Sequence, residues 1–92
     1  MSSLPNTATN QQGIVSLILP PSQAEVISLF NQYPAEYIST FDFRRNGIAS
    51  PSQRIAQLIA KGAVIDKVLK PAVCESGRMH KRVAWYVLRG WA

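Results

Sequence analysis

The chain has 92 residues, 47% of them hydrophobic, which is enough for one modest core and leaves no room for a second domain. Its formal net charge is +5, and all ten Lys and Arg lie at or after Arg44, whereas three of the five acids (Glu25, Glu36 and Asp42) precede it. A polyanionic partner for the C-terminal half is therefore implied, and one Cys with one His excludes an internal disulfide and a structural zinc site.

Residues 1–13 are small and polar, broken by Pro5 and Gly13, and read as a flexible N-terminal tail ahead of a single domain over 14–92. Ile14 to Leu19 is an apolar run stopped by Pro20-Pro21, suited to a short strand or a buried extended segment. It is too short for a secretion signal or a membrane span, so a cytoplasmic protein is expected. Ser22 and Glu25 have the spacing of a capping box, and Val26, Leu29, Phe30 and Tyr33 follow at helical intervals on one core stripe that ends before Pro34.

Tyr37-Ile38-Ser39 is β-prone, and Ser39 with Asp42 can cap a brief second helix that carries Phe41, Phe43 and Arg44. Asn46-Gly47 readily supplies a positive backbone dihedral, so that helix stops and the chain turns, with Ile48 as the buried plug. The third helix opens on Ser50 as N-cap, Pro51 at its first position and Gln53 as the second half of a capping box. Ile55, Leu58, Ile59 and Gly62 form its expected core stripe. Ser50, Gln53, Arg54, Gln57 and Lys61 fall opposite, and Gly62 is its stop.

Beyond Gly62 the period becomes strand-like. Val64 to Leu69 is rich in β-branched residues and ends at Lys70-Pro71; in Arg82 to Leu88, Val83, Trp85 and Val87 alternate with the other face. The pair Ser76-Gly77 makes the turn of a hairpin, followed by Arg78, His80, Lys81 and Arg82 as a basic loop. Trp85 and Tyr86 are adjacent on a strand, so only one can point outward, and both read as packing residues.

This order predicts an α+β fold, a winged helix-turn-helix of three helices plus a C-terminal β-hairpin wing, whose third helix would enter the DNA major groove. The segment GIASPSQRIAQLIAKGAVID resembles the small winged helix-turn-helix proteins encoded by phages and prophages, through Gly47, Ile48, Ser50, Ser52, Arg54, Ile55, Leu58, Gly62 and Ile65. The likeness covers roughly residues 22–70. Ile59-Ala60 stands where many relatives carry Leu-Arg, one cation fewer, and the N-terminal extension lies outside the pattern.

The resemblance implies double-stranded DNA as partner and a role as transcriptional regulator or as excision or architectural factor. Ser50, Ser52, Gln53, Arg54, Gln57 and Lys61 are then the candidates on the recognition helix, with Gln53, Arg54 and Gln57 as base readers. Arg44, Arg45, Arg78, His80, Lys81 and Arg82 are the candidates for phosphate contact; Arg44 and Arg45 equally suit the negative end of their own helix.

No nucleophile-base arrangement, paired carboxylates or Gly-rich phosphate loop is readable, so no enzyme, cofactor, metal or small-molecule substrate is expected. The competing reading is a phage protein that uses a winged helix to bind and inhibit a host protein or nucleoprotein complex. It rests on the apolar excess of Ile14–Leu19 and Gly90-Trp91-Ala92, which a homodimer would also cover.

Overall fold

A computed structural model describes residues 19–92. The expectations for 1–13 and for most of Ile14–Leu19 fall outside that range. Helix α1 spans Pro21–Gln32, strand β1 Ile38–Ser39, helix α2 Thr40–Arg45, helix α3 Pro51–Ala60, strand β2 Ala63–Val73 and strand β3 Met79–Trp91. The sheet is antiparallel in the order β1-β3-β2. Three helices, a short first strand and a C-terminal hairpin are the predicted α+β winged arrangement.

The start of α1 differs from the capping-box expectation. The helix begins one residue before Ser22, capped by Pro20 with no side-chain hydrogen bond, and the Gln23 and Ala24 amides donate to the Pro20 carbonyl at 3.0 Å. Pro21 has no N–H to satisfy, so it starts the helix at no cost. This places Gln23, Val26, Ile27 and Phe30 at i, i+3, i+4 and i+7 on the buried stripe. Tyr33, expected at its end, is 46% exposed because the helix stops at Gln32 and the chain departs from the helical path there.

Helix α2 is set as its sequence predicts. The Ser39 hydroxyl accepts from the Asp42 amide at 3.1 Å, and the Asp42 carboxylate accepts from the Ser39 amide at 3.4 Å, which completes a capping box. At the other end, Ile48 N–H reaches back to Phe43 O at 3.0 Å and Gly47 N–H to Arg44 O at 3.0 Å, with Gly47 at φ 82°. These two bonds satisfy carbonyls that the helix end leaves open, and they drop Ile48 into the core at 4% exposure.

Ser50 is the second departure. It does precede α3, but at φ 51° and ψ 55°, and its side chain caps nothing. A side-chain cap needs extended backbone at that residue, so the expected Ser50-Gln53 box cannot close; the Gln53 and Arg54 amides bond to the Ser50 carbonyl instead. Pro51, Ile55 and Leu58 form the buried face of α3, while Ile59, expected in the core, is 49% exposed. At 100° per residue Ile59 stands well round the helix from Leu58, and it lines the groove beside Ile65 and Lys67.

Strand β2 runs through Pro71 instead of ending at Leu69. Its partner register shifts between Lys70 and Ala72, and that irregularity sits at a proline on an edge strand, where a missing N–H costs no ladder bond. On β3, Ala84, Tyr86 and Leu88 face the helices, and Tyr86 and Leu88 pair with Lys67 and Ile65. Trp85 lies on the other face, its indole N–H donating to Lys70 O at 3.3 Å with the Lys70 ammonium 4.6 Å from its ring. The apolar C-terminus is partly absorbed: Trp91 packs against the core and the Ala92 amide donates to Gly62 O at 2.7 Å.

Both ends of the α3 description can be checked by stability. Leu58 is fully buried, so Leu58→Ala should cost about 2–5 kcal/mol in chemical denaturation; a negligible change would mean the helix face is misplaced. Ser50→Gly should raise stability by about 0.5–1 kcal/mol, since glycine tolerates this backbone and no cap is removed. A drop in stability would place Ser50 in an ordinary capping geometry.

Candidate nucleic-acid interface

Helix α3 divides its polar residues into two groups. Gln53 is exposed near its start and has no side-chain partner among the described residues; Ala56 and Ala60 are exposed along the helix beyond it. The outermost line of α3 is thus one glutamine followed by small residues. Arg54 and Gln57, expected to stand free, are half-buried on the flank nearest α1.

That flank is closed by a chain of hydrogen bonds. Lys61 Nζ donates to Gln23 Oε1 at 2.7 Å, Gln23 Nε2 donates to Gln57 Oε1 at 3.0 Å, and Arg54 Nη1 donates to the same oxygen at 3.0 Å. Gln23 is only 5% exposed, so its amide is held inside the α1–α3 contact. Sequence reasoning placed it inside a capping box. The signal that could have found it is its position at the head of the stripe Gln23, Val26, Ile27, Phe30.

The opposite flank of α3 meets the sheet. Ser52 is exposed, and its hydroxyl lies 3.2 Å from the Tyr86 hydroxyl. A groove beside it, about 290 Å³, is lined by Ala56, Ile59, Ile65 and Lys67 among others. Lys67 is exposed and has no partner among the described residues, and sequence reasoning missed it because its strand reads as a packing element.

The remaining cations differ in how far they are engaged. Arg45 is paired with Asp42 at 2.5 Å, and Arg89 donates to Asp66 at 2.9 Å. Lys70 sits over Trp85 and, at 5.6 Å, over Tyr37. Arg44, Lys67, Arg78, Lys81 and Arg82 are exposed without a side-chain partner among the described residues. His80 is half-buried, its ring edge-on to Phe41 of α2 at 5.1 Å, so it seats the wing on α2.

The wing tip is a tight turn in which Gly77 N–H donates to Cys74 O at 2.9 Å and Cys74 N–H to Arg78 O at 3.0 Å, with Gly77 at φ 84°. Hydrogen bonds from Ser76 and His80 hold the Cys74 thiol down at about 6. Arg78 follows the turn, whereas His80, Lys81 and Arg82, expected on a basic loop, lie within β3, because pairing with β2 already starts at Met79.

Three helices in which α2 and α3 are joined by the Gly47 turn, with the hairpin leading off α3, define a winged helix-turn-helix protein. Over residues 25–90 the chain matches the winged helix-turn-helix domain family, and it belongs to that family. Membership supports DNA as its partner, in a class of domains that bind rather than catalyse. No curated protein and no solved structure matches the chain. No described helix is long and apolar enough to cross a membrane.

Asp42 links this surface to pH. Burial works to raise its pKa, but the hydrogen bonds from Arg45 and Ser39 outweigh it and hold the carboxyl below its usual range. A depressed folded pKa contributes stability that is complete above the unfolded value, about 3.9, and is lost as pH falls through the folded one. Asp42→Asn should therefore be less stable than the wild type at pH 7, with the difference shrinking on acidification toward pH ~2. A gap that stays constant in denaturation curves across that range would remove Asp42 from this role.

Proposed function

We propose that the protein binds double-stranded DNA through α3 and the wing, as a transcriptional regulator or an excision or architectural factor of phage or prophage type. The observation that carries the reading is the set of cations without a side-chain partner among the described residues, Arg44, Lys67, Arg78, Lys81 and Arg82, on α2, β2 and the wing. Charges without internal partners keep their full Coulomb field for an external polyanion. The phage assignment is supported by the likeness of Gly47 to Ile65 to that group.

In this reading α3 lies in the major groove with Gln53 leading, and Arg54 and Gln57 meet base edges from its α1 flank. Lys61 and the hydroxyls of Ser50 and Ser52 border the same helix. Arg44, Arg78, Lys81 and Arg82 contact phosphates, which fixes register without choosing sequence. Arg45 and His80 act at one remove, since each already has an internal contact.

A second reading, binding and inhibition of a host protein or nucleoprotein complex, is favoured by Leu69, Val73 and Met79, which are 49%, 45% and 57% exposed along the hairpin. A homodimer would use the same apolar strip. Titration of duplex DNA against salt separates these from the DNA reading. A DNA binder loses affinity steeply through counterion release, and replacing Arg78, Lys81 and Arg82 together by Ala should weaken cognate and random duplexes by similar factors. The same replacement should flatten the salt slope by about 0.9 for each phosphate that is no longer neutralised. No duplex affinity at low salt would favour the host-protein reading.

A further inference from the structure

We infer that Gln23 on α1 is a positioning residue that turns Gln57 into a pure hydrogen-bond donor, so that Gln57 favours guanine, whose O6 and N7 both accept, over adenine, which offers N7 beside an amine that only donates. The inference rests on the DNA-binding reading of α3.

The orientation of both amides follows from chemistry. Lysine and arginine can only donate. Lys61 Nζ lies 2.7 Å from one end of the Gln23 amide, so that end is the oxygen and the other end is the NH2 group. That NH2 faces Gln57 at 3.0 Å, so the facing Gln57 atom is its oxygen, and Arg54 Nη1 on the same atom at 3.0 Å requires the same assignment independently. Two obligate donors at the ends of the chain leave no alternative arrangement of the amides between them.

A carbonyl oxygen has two lone pairs, and here both are taken. The part of Gln57 left for a ligand is its NH2 group, which has no partner among the described residues. The rest of the Arg54 guanidinium and the remaining N–H bonds of Lys61 also only donate. This flank of α3 therefore presents donors alone.

A glutamine reads adenine in paired fashion by donating to N7 while its oxygen accepts from the N6 amine. For Gln57 to do so its oxygen must leave the network, which would strand the Nε2 of a residue only 5% exposed. Guanine makes no such demand, since its O6 and N7 both accept. Gln23 thus acts on base choice without touching DNA.

Selection from random duplexes, followed by titration of each variant on the enriched site, tests this. Gln57→Ala identifies the base pair that Gln57 faces by relaxing preference there; the wild type should carry a G·C pair at it. Gln23→Leu frees the Gln57 oxygen, and the preference for adenine at that pair should rise by about tenfold, the size of one paired base contact. Gln57→Glu keeps the acceptors for Gln23 and Arg54 but removes the donor, so guanine preference should disappear.

Nitrogen-15 NMR of the free protein supplies a readout that survives a poorly folded Gln23 variant. The Gln23 side-chain amide should exchange with water slowly and that of Gln57 fast; equal, fast exchange would overturn the inference. Adenine at the Gln57 position in the wild type, or an unchanged profile in folded Gln23→Leu, would overturn it while leaving the DNA reading intact. A wild type that enriches no site and binds no duplex would overturn both.

Discussion

Tyr86 is the point through which the rest of the fold is tied. It lies on the central strand, pairs in register with Ile38 of β1 and Lys67 of β2, packs edge-on to Phe43 of α2 with ring centroids 6.4 Å apart, and reaches Ser52 of α3 through its hydroxyl. One side chain therefore contacts or registers with every element except α1. It is 6% exposed, and a buried aromatic of this size contributes both apolar area and a hydroxyl that must find a partner. That partner is the Ser52 hydroxyl of α3.

Helix α1 closes the other side. Phe30 meets Phe43 edge-on at 5.4 Å, and Val26, Ile27 and Leu29 complete a core with Ile55 and Leu58. Where this apolar contact runs out, the Lys61–Gln23–Gln57–Arg54 chain takes over. A buried amide must be fully partnered, so a glutamine at the head of the α1 stripe draws the polar flank of α3 inward. The exposure of Ile59 and the half-burial of Arg54 and Gln57 agree with this pull.

The charge of the surface is decided by a similar division. Ten cations are present, but several are engaged within the molecule: Arg54 and Lys61 on the Gln57 and Gln23 amides, Arg45 on Asp42, Arg89 on Asp66, and Lys70 over Trp85 and Tyr37. The exposed pairs among these add little to stability, yet each turns a cation from a ligand-seeking group into a local contact. Among the described residues, those left without a side-chain partner are Arg44, Lys67 and the three wing residues Arg78, Lys81 and Arg82, so the field is less evenly spread than the sequence charge implies.

Short-range chemistry was legible in the sequence alone. The Ser39-Asp42 box, the Gly47 turn that plugs Ile48, the stop at Gly62 and the turn at Ser76-Gly77 each depend on residues a few positions apart, and each has the predicted form, although the strand after that turn starts at Met79 and not at Arg82. The order of elements, and with it the fold class, follows from those signals. Tertiary structure decided what periodicity leaves open. A helical period states which residues share a face but not how far the helix is rotated against its neighbours, so Ile59 and Tyr33 are exposed and Gln23 is buried. Ser50 carries a good capping side chain, but the path from Ile48 into α3 holds its backbone in the left-handed region, where that side chain cannot cap. Pro71 reads locally as a strand end and is carried inside β2 because an edge strand does not need its missing N–H. In each case the deciding partner lies in another element, beyond the reach of local sequence.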